Sequence, residues 1–215
     1  TTWSQQQLIQ SSDIQASDQF GSNVDIAGNT IVVGALFEDA GGSNAGAAYV
    51  FTRSGTTWTQ QQKLVASDAA TNDRFGSSSG IYGDTIVVGA VNENSQAGSA
   101  YVFTRSNTTW SQQQKIVGDA SGYYDWFGID VDIEEDTIVV GAYGDDSGTT
   151  QNGEGAAYIF TRSGTTWTQD KKIVSSTRST NAYFGYNVAI QDNTVIVGAY
   201  GESGSTGAAY TFIAG

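Results

Sequence analysis

Aromatic rings beside carboxylates, in a chain with no histidine and no cysteine, define the chemistry open to these 215 residues. Tyr123, Tyr124, Asp125 and Trp126 run consecutively in an otherwise polar stretch. Trp126 is the one Trp outside a recurring Thr-Thr-Trp signature. Tyr143, Asp145 and Asp146 follow in a later loop, and Tyr183, extended by Tyr186 and Tyr200, comes from the next copy of the same pattern. A flat ring packs on the C–H face of a sugar while a neighbouring carboxylate accepts its hydroxyls. Tyr123, Tyr124, Asp125, Trp126, Tyr143, Asp145, Asp146 and Tyr183 are therefore the candidate ligand-binding set. A plainer reading has Trp126 filling a gap beside Phe127, since burial is the commoner fate of a large ring. In a third reading Asp125 works with Asp145 or Asp146 as acid and base of a glycan hydrolase or lyase.

Composition narrows these options. Without His there is no general base of the usual kind near neutral pH, and without Cys no thiol nucleophile, zinc finger or disulfide. Binding is expected rather than catalysis, and no cofactor is called for. The acidic groups Glu38-Asp39, Glu134-Glu135-Asp136 and Asp145-Asp146 could hold Ca²⁺ through oxygen ligands, but solvated surface carboxylates are the simpler account. A net charge of −13 repels phosphate backbones and anionic lipid, which argues against nucleic acid and acidic membranes as partners. No apolar run reaches the roughly 20 residues that span a bilayer. A polar, weakly charged chain rich in Gly, Ser, Thr, Gln and Asn reads as extracellular or cell-surface. Thr1 leaves open a processed leader or an excised piece, and Asn107-Thr108-Thr109 is a sequon with meaning only in a secreted eukaryotic protein.

The elements that must position these side chains are set by a repeat. Trp3, Trp58, Trp110 and Trp167 begin four copies; Phe20, Phe75, Phe127 and Phe184 each precede Gly; and Gly34, Gly89, Gly141 and Gly198 each precede Ala. Tyr49, Tyr101, Tyr158 and Tyr210 sit in a fourth landmark, Ala-Tyr-x-Phe. The first three landmarks step by the same 55, 52 and 57 residues, which divides the chain into repeats 1–55, 56–107, 108–164 and 165–215. Each copy offers four short strands bounded by turn residues, called d, a, b and c in chain order. The b strand, Thr-Ile-Val-Val-Gly-Ala, is β-branched and apolar on both faces, as a strand covered from two sides should be. Copies of this length with four antiparallel strands predict propeller blades. The c–d turns are nearly identical. The d–a loops (11–19, 66–74, 118–126, 175–183) and the b–c loops, the longest at 143–155, diverge and share one rim. Loops released from a copied scaffold are the usual binding elements.

Phe75-Gly76, Ile86-Val87-Val88-Gly89-Ala90 and Ala100-Tyr101-Val102-Phe103 resemble the FG-GAP repeat found in integrin α subunits and bacterial surface proteins. The resemblance implies an all-β propeller of four four-stranded antiparallel blades and a role in recognition or adhesion, with a glycan or a surface or matrix protein as ligand. Residues 2–9, a d strand, are expected to pair with the last c strand at 208–212 and close the ring. An eight-blade ring of two chains and a slice of a longer propeller are the alternatives. A structural block of a filament, sheath or larger adhesin, with self-association, is the second functional reading. The integrin-type Asp-x-Asp-x-Asp-Gly loop is missing between strands a and b, so the family's calcium does not carry over.

Overall fold

The computed structural model describes residues 1–119, 122–146 and 152–214. Its strands form four antiparallel sheets in simple meander order. The first contains β1 (Phe20–Ala27), β2 (Thr30–Ala35), β3 (Ala47–Ser54) and β4 (Thr57–Leu64). The second contains β5 (Phe75–Tyr82), β6 (Thr85–Ala90), β7 (Ser99–Ser106) and β8 (Thr109–Ile116). The third contains β9 (Val131–Glu134), β10 (Thr137–Ala142), β11 (Ala156–Ser163) and β12 (Thr166–Ile173). The fourth has three strands, β13 (Phe184–Gln191), β14 (Thr194–Ala199) and β15 (Ala208–Ile213). Two single turns, Glu93–Gln96 and Glu202–Ser205, contain left-handed residues and are not continuous helices.

The apolar b strands dictate where the core lies. Every residue of β6 is buried, because β6 has a sheet on each side. The largest clusters accordingly bridge neighbouring sheets: Val32, Val50 and Leu64 of the first pack with Phe75, Ile86 and Trp110 of the second. Val87, Val102 and Ile116 of the second pack with Phe127, Ile138 and Phe160 of the third. A blade is thus stabilised mainly by its neighbour, since one sheet cannot bury two apolar faces alone.

Glycine sets the closeness of that packing. A Cβ on Gly34, Gly89 or Gly141 would lie 2.1, 2.1 and 1.9 Å from the carbonyl oxygen of Gly76, Gly128 and Gly185 in the next blade. At the two ends of the array these contacts are missing. A Cβ on Gly198 would meet nothing nearer than Asn187 at 3.8 Å, and one on Gly21 nothing within 4 Å.

The expected pairing of residues 2–9 with 208–212 is not formed. β15 pairs only with β14, residues 1–10 adopt no strand, and Trp3 is 94% exposed. The segment is instead held to the first blade by a side-chain clamp. Gln7 donates its amide to the Trp58 carbonyl at 2.9 Å and accepts the Trp58 N–H at 2.8 Å. Gln62 holds Trp110 in this manner, and Gln114 holds Trp167. The N-terminal segment therefore stands where the outer strand of a preceding blade would stand.

Candidate functional site

The residue before each Phe-Gly is left-handed in all four copies: Gln19 (φ 55°), Arg74 (58°), Trp126 (52°) and Tyr183 (54°). Non-glycine residues adopt this region at a cost. Inter-blade hydrogen bonds hold three of them there. Arg74 N–H reaches the Asn44 carbonyl, Trp126 N–H the Gln96 carbonyl and Tyr183 N–H the Gly153 carbonyl, at 3.2, 2.9 and 2.9 Å. The backbone is fixed by the repeat while the side chain is free to vary. In the third and fourth blades that freedom yields Trp126 and Tyr183. The position after Gly-Ala, Leu36 and Val91 earlier in the chain, becomes Tyr143 and Tyr200. The position after Phe-Gly, Ser22 and Ser77 earlier, becomes Tyr186 in the fourth blade.

These substitutions converge. Trp126 stacks on Tyr143 with centroids 4.7 Å apart and planes within 2°. Tyr183 stacks on Tyr200 at 4.9 Å and 17°. Tyr186 joins the two pairs edge-on, 5.3 Å from Tyr143 and 4.8 Å from Tyr200, and Tyr124 leans on Trp126 at 5.8 Å. Between blades three and four Tyr124, Trp126, Tyr143, Tyr183 and Tyr200 bound a cavity of about 440 Å³, also lined by Gly144, Asp146, Gly153 and Asn181. Gly144 is required here, because a Cβ would lie 2.1 Å from the Tyr124 carbonyl oxygen and 2.6 Å from the Trp126 ring. Burial and the neighbouring phenols Tyr200, Tyr186 and Tyr183 push the Tyr143 hydroxyl up to about 12, so it remains a hydrogen-bond donor at neutral pH.

Of the eight residues proposed from sequence, Tyr124, Trp126, Tyr143, Asp146 and Tyr183 line this cavity. Tyr123 does not, and stands 71% exposed beside it. Asp125 and Asp145 are withdrawn into the scaffold, 6% and 1% exposed. Asp125 accepts the Gly122 N–H, as Asp18 accepts Gln15 N–H and Asp73 accepts Ala70 N–H in their own copies. Burial raises its carboxyl to about 6 against that hydrogen bond, and the charges of Asp145 and Asp146 add to the rise. Asp145 accepts from the Tyr158 hydroxyl and pairs with Lys172 at 2.6 Å, repeating the Glu38–Lys63 and Glu93–Lys115 pairs. Neither carboxylate lines the cavity, so of the acid–base groups of the third sequence reading only Asp146 does. Asp146 accepts N–H groups of Asn152 and Glu154, holding the far side of the long b–c loop. Residues 147–151 of that loop lie outside the described residues.

Gly144 and Asn181, which line the cavity, and Gly201, where a Cβ would lie 1.9 Å from the Asn181 carbonyl oxygen, escaped the sequence reading. The signal available was Tyr-Gly immediately after Gly-Ala, which occurs in the third and fourth copies only. The acidic pairs considered for calcium are otherwise engaged: Glu38 with Lys63 and the Ala40 N–H, Asp39 with the Asn44 N–H, Asp136 with Arg162. Among the described residues, no three acidic side chains group as a metal site would need.

A family model for the FG-GAP repeat matches residues 3–51, 58–103, 110–160 and 167–212. The chain belongs to the FG-GAP repeat family, and its four sheets are that family's propeller blades, the last lacking its outer strand. FG-GAP repeats occur in adhesion and surface proteins. A search of curated proteins finds no match. Among the described residues no helix is long and apolar enough to cross a membrane.

Proposed function

We propose that the chain is a recognition module of an extracellular or cell-surface protein and binds a glycan in the aromatic cradle between blades three and four. One observation carries this reading. Five aromatic side chains replace Gln, Arg, Leu, Val and Ser at matched repeat positions; Trp126, Tyr143, Tyr183 and Tyr200 line one cavity, and Tyr186 packs edge-on against Tyr143 and Tyr200. The repeat does not require the change, since the junction of blades one and two carries Leu36, Arg74 and Ser77 at the same positions. The cavity pairs apolar ring surface with protonated phenols, an amide and the Asp146 carboxylate, a mixture suited to a sugar's C–H face and hydroxyls. The negative net charge favours a neutral or basic ligand over nucleic acid or anionic lipid. The burial of Asp125 and Asp145 away from the cavity supports a reading of binding without turnover.

A glycan array probed with the chain, with and without calcium, tests the reading. Binding to a defined saccharide that Trp126→Ala weakens by about tenfold or more supports it, because truncation removes both ring burial and stacking. No saccharide bound, or binding indifferent to that substitution, refutes it. A second reading, a building block of a larger assembly, is favoured by the missing inter-blade contacts at both ends of the array.

A further inference from the structure

The last blade has an open edge whose surroundings specify what should fill it. In the three complete blades the outer strand brings two side chains inward. In the second and third blades its Trp inserts between its own blade and the preceding one, with Trp110 Nε1 donating to Gln61 at 2.9 Å and Trp167 Nε1 to Gln113 at 3.0 Å. Its Lys, five positions later, crosses the Tyr of strand c to reach a buried or half-buried carboxylate: Lys63 to Glu38, Lys115 to Glu93, Lys172 to Asp145.

In the fourth blade both receptors are present without the strand. Ile159, Asp170, Ile173, Ile190, Val195 and Phe212 line a cavity of about 580 Å³ beside β15. They occupy the repeat positions of Val50, Gln61, Leu64, Ile81, Ile86 and Phe103. Five of these six share Trp110's apolar cluster, and Gln61 accepts its indole N–H. Asp170 offers a carboxylate at the place of Gln61 and Gln113. Glu202, at the repeat position of Glu38, Glu93 and Asp145, is 4% exposed. Its Oε1 accepts from Ser179 and Thr177 at 2.5 and 3.0 Å, but its Oε2 has no hydrogen-bond partner. A buried carboxylate oxygen without a donor is costly, and elsewhere in the repeat a lysine supplies one.

We propose that β15 accepts an outer strand from a repeat blade other than these four, and that this strand carries Trp and, five residues later, Lys. The paired register of β11 with β12 sets that Lys opposite Tyr210, as Lys172 is opposite Tyr158. The chain's own N-terminal segment is the poorer fit. Residues 2–9 read TWSQQQLI, whereas β8, Thr109–Ile116, reads TWSQQQKI. The two differ only at Leu8 against Lys115, so residues 2–9, from this chain or from a second copy, would leave Glu202 without its cation.

That single difference provides the experiment. Fluorescein-labelled peptides TWSQQQKI and TWSQQQLI are titrated with the 215-residue chain and followed by anisotropy. The Lys peptide should bind at least about tenfold more tightly. Glu202→Gln should bring the two affinities within about twofold while circular dichroism shows the fold retained. Equal affinities in the unsubstituted chain, no detectable binding of the Lys peptide, or a preference that survives Glu202→Gln would overturn the proposal. So would light scattering showing the chain already dimerised through residues 2–9, with the Leu peptide as the better competitor. The glycan cradle lies apart from this edge, so failure here leaves the glycan reading standing.

Discussion

Trp126 and Arg74 share one left-handed backbone position and differ only in what the side chain then does. Arg74 lies over the Phe37 ring, while Trp126 stacks on Tyr143 and walls a cavity. Asp125 beside it shows the opposite behaviour, a residue with chemical promise given to the scaffold. Its ordinary value of 3.8 rises to about 6 on folding, so the native state holds the proton more tightly than the unfolded chain between those two values. Stability contributed by this group is therefore greatest in acid and declines as pH rises through that window. Asp125→Asn keeps the side-chain acceptor for Gly122 and removes the charge. The difference in denaturation midpoint, variant minus parent, should rise from about pH 4 to about pH 6.5 and then level off. A difference that does not vary with pH would contradict the assignment of the shift to this residue.

At the scale of the element, the Gly-Ala strand end is where one blade touches the next. Gly141→Ala drives a methyl into the Gly185 carbonyl 1.9 Å away and should destabilise by roughly 3 kcal/mol, the upper range for overpacking. Gly198→Ala makes the identical change where the nearest atom is 3.8 Å away, and should stay within about 0.5 kcal/mol of the parent. Chemical denaturation of both variants checks the pair; equal losses would mean that the glycine serves the strand and not the junction. The same elements show what could be read in advance. The strands, their order and the rim shared by Trp126, Tyr143 and Tyr183 follow from landmarks repeated in step, because alternation and turn chemistry act locally. The withdrawal of Asp125 and Asp145 could not be read from the third copy alone. Lining it up with Asp18, Asp73, Glu38 and Glu93 would have marked both as scaffold. Ring closure was illegible for a different reason: a d strand beside a c strand is a statement about sequence order, whereas main-chain pairing requires the two ends to meet in space, and β15 pairs only with β14.

For the whole molecule, stability should fall from the middle of the array toward its ends. The second blade is covered on both sides, whereas β1 and β15 alternate between partly buried and exposed residues. Hydrogen exchange should be slowest in β6 and β7 and fastest in β15 and residues 1–19, in keeping with sub-global opening from uncovered edges. Uniform protection across the four blades would indicate a closed ring. The cradle lies between the third and fourth blades, so ligand binding should slow exchange most at β13. The central claim, a glycan site at that junction, has a direct optical test because Trp126 is the one tryptophan at the cavity. Tryptophan emission is followed while the saccharide selected on the array is titrated into the parent chain, Trp126→Phe and Trp58→Phe. The predicted result is a saturable emission change in the parent and in Trp58→Phe that disappears in Trp126→Phe. A change of full size persisting in Trp126→Phe would place the ligand elsewhere and contradict the claim.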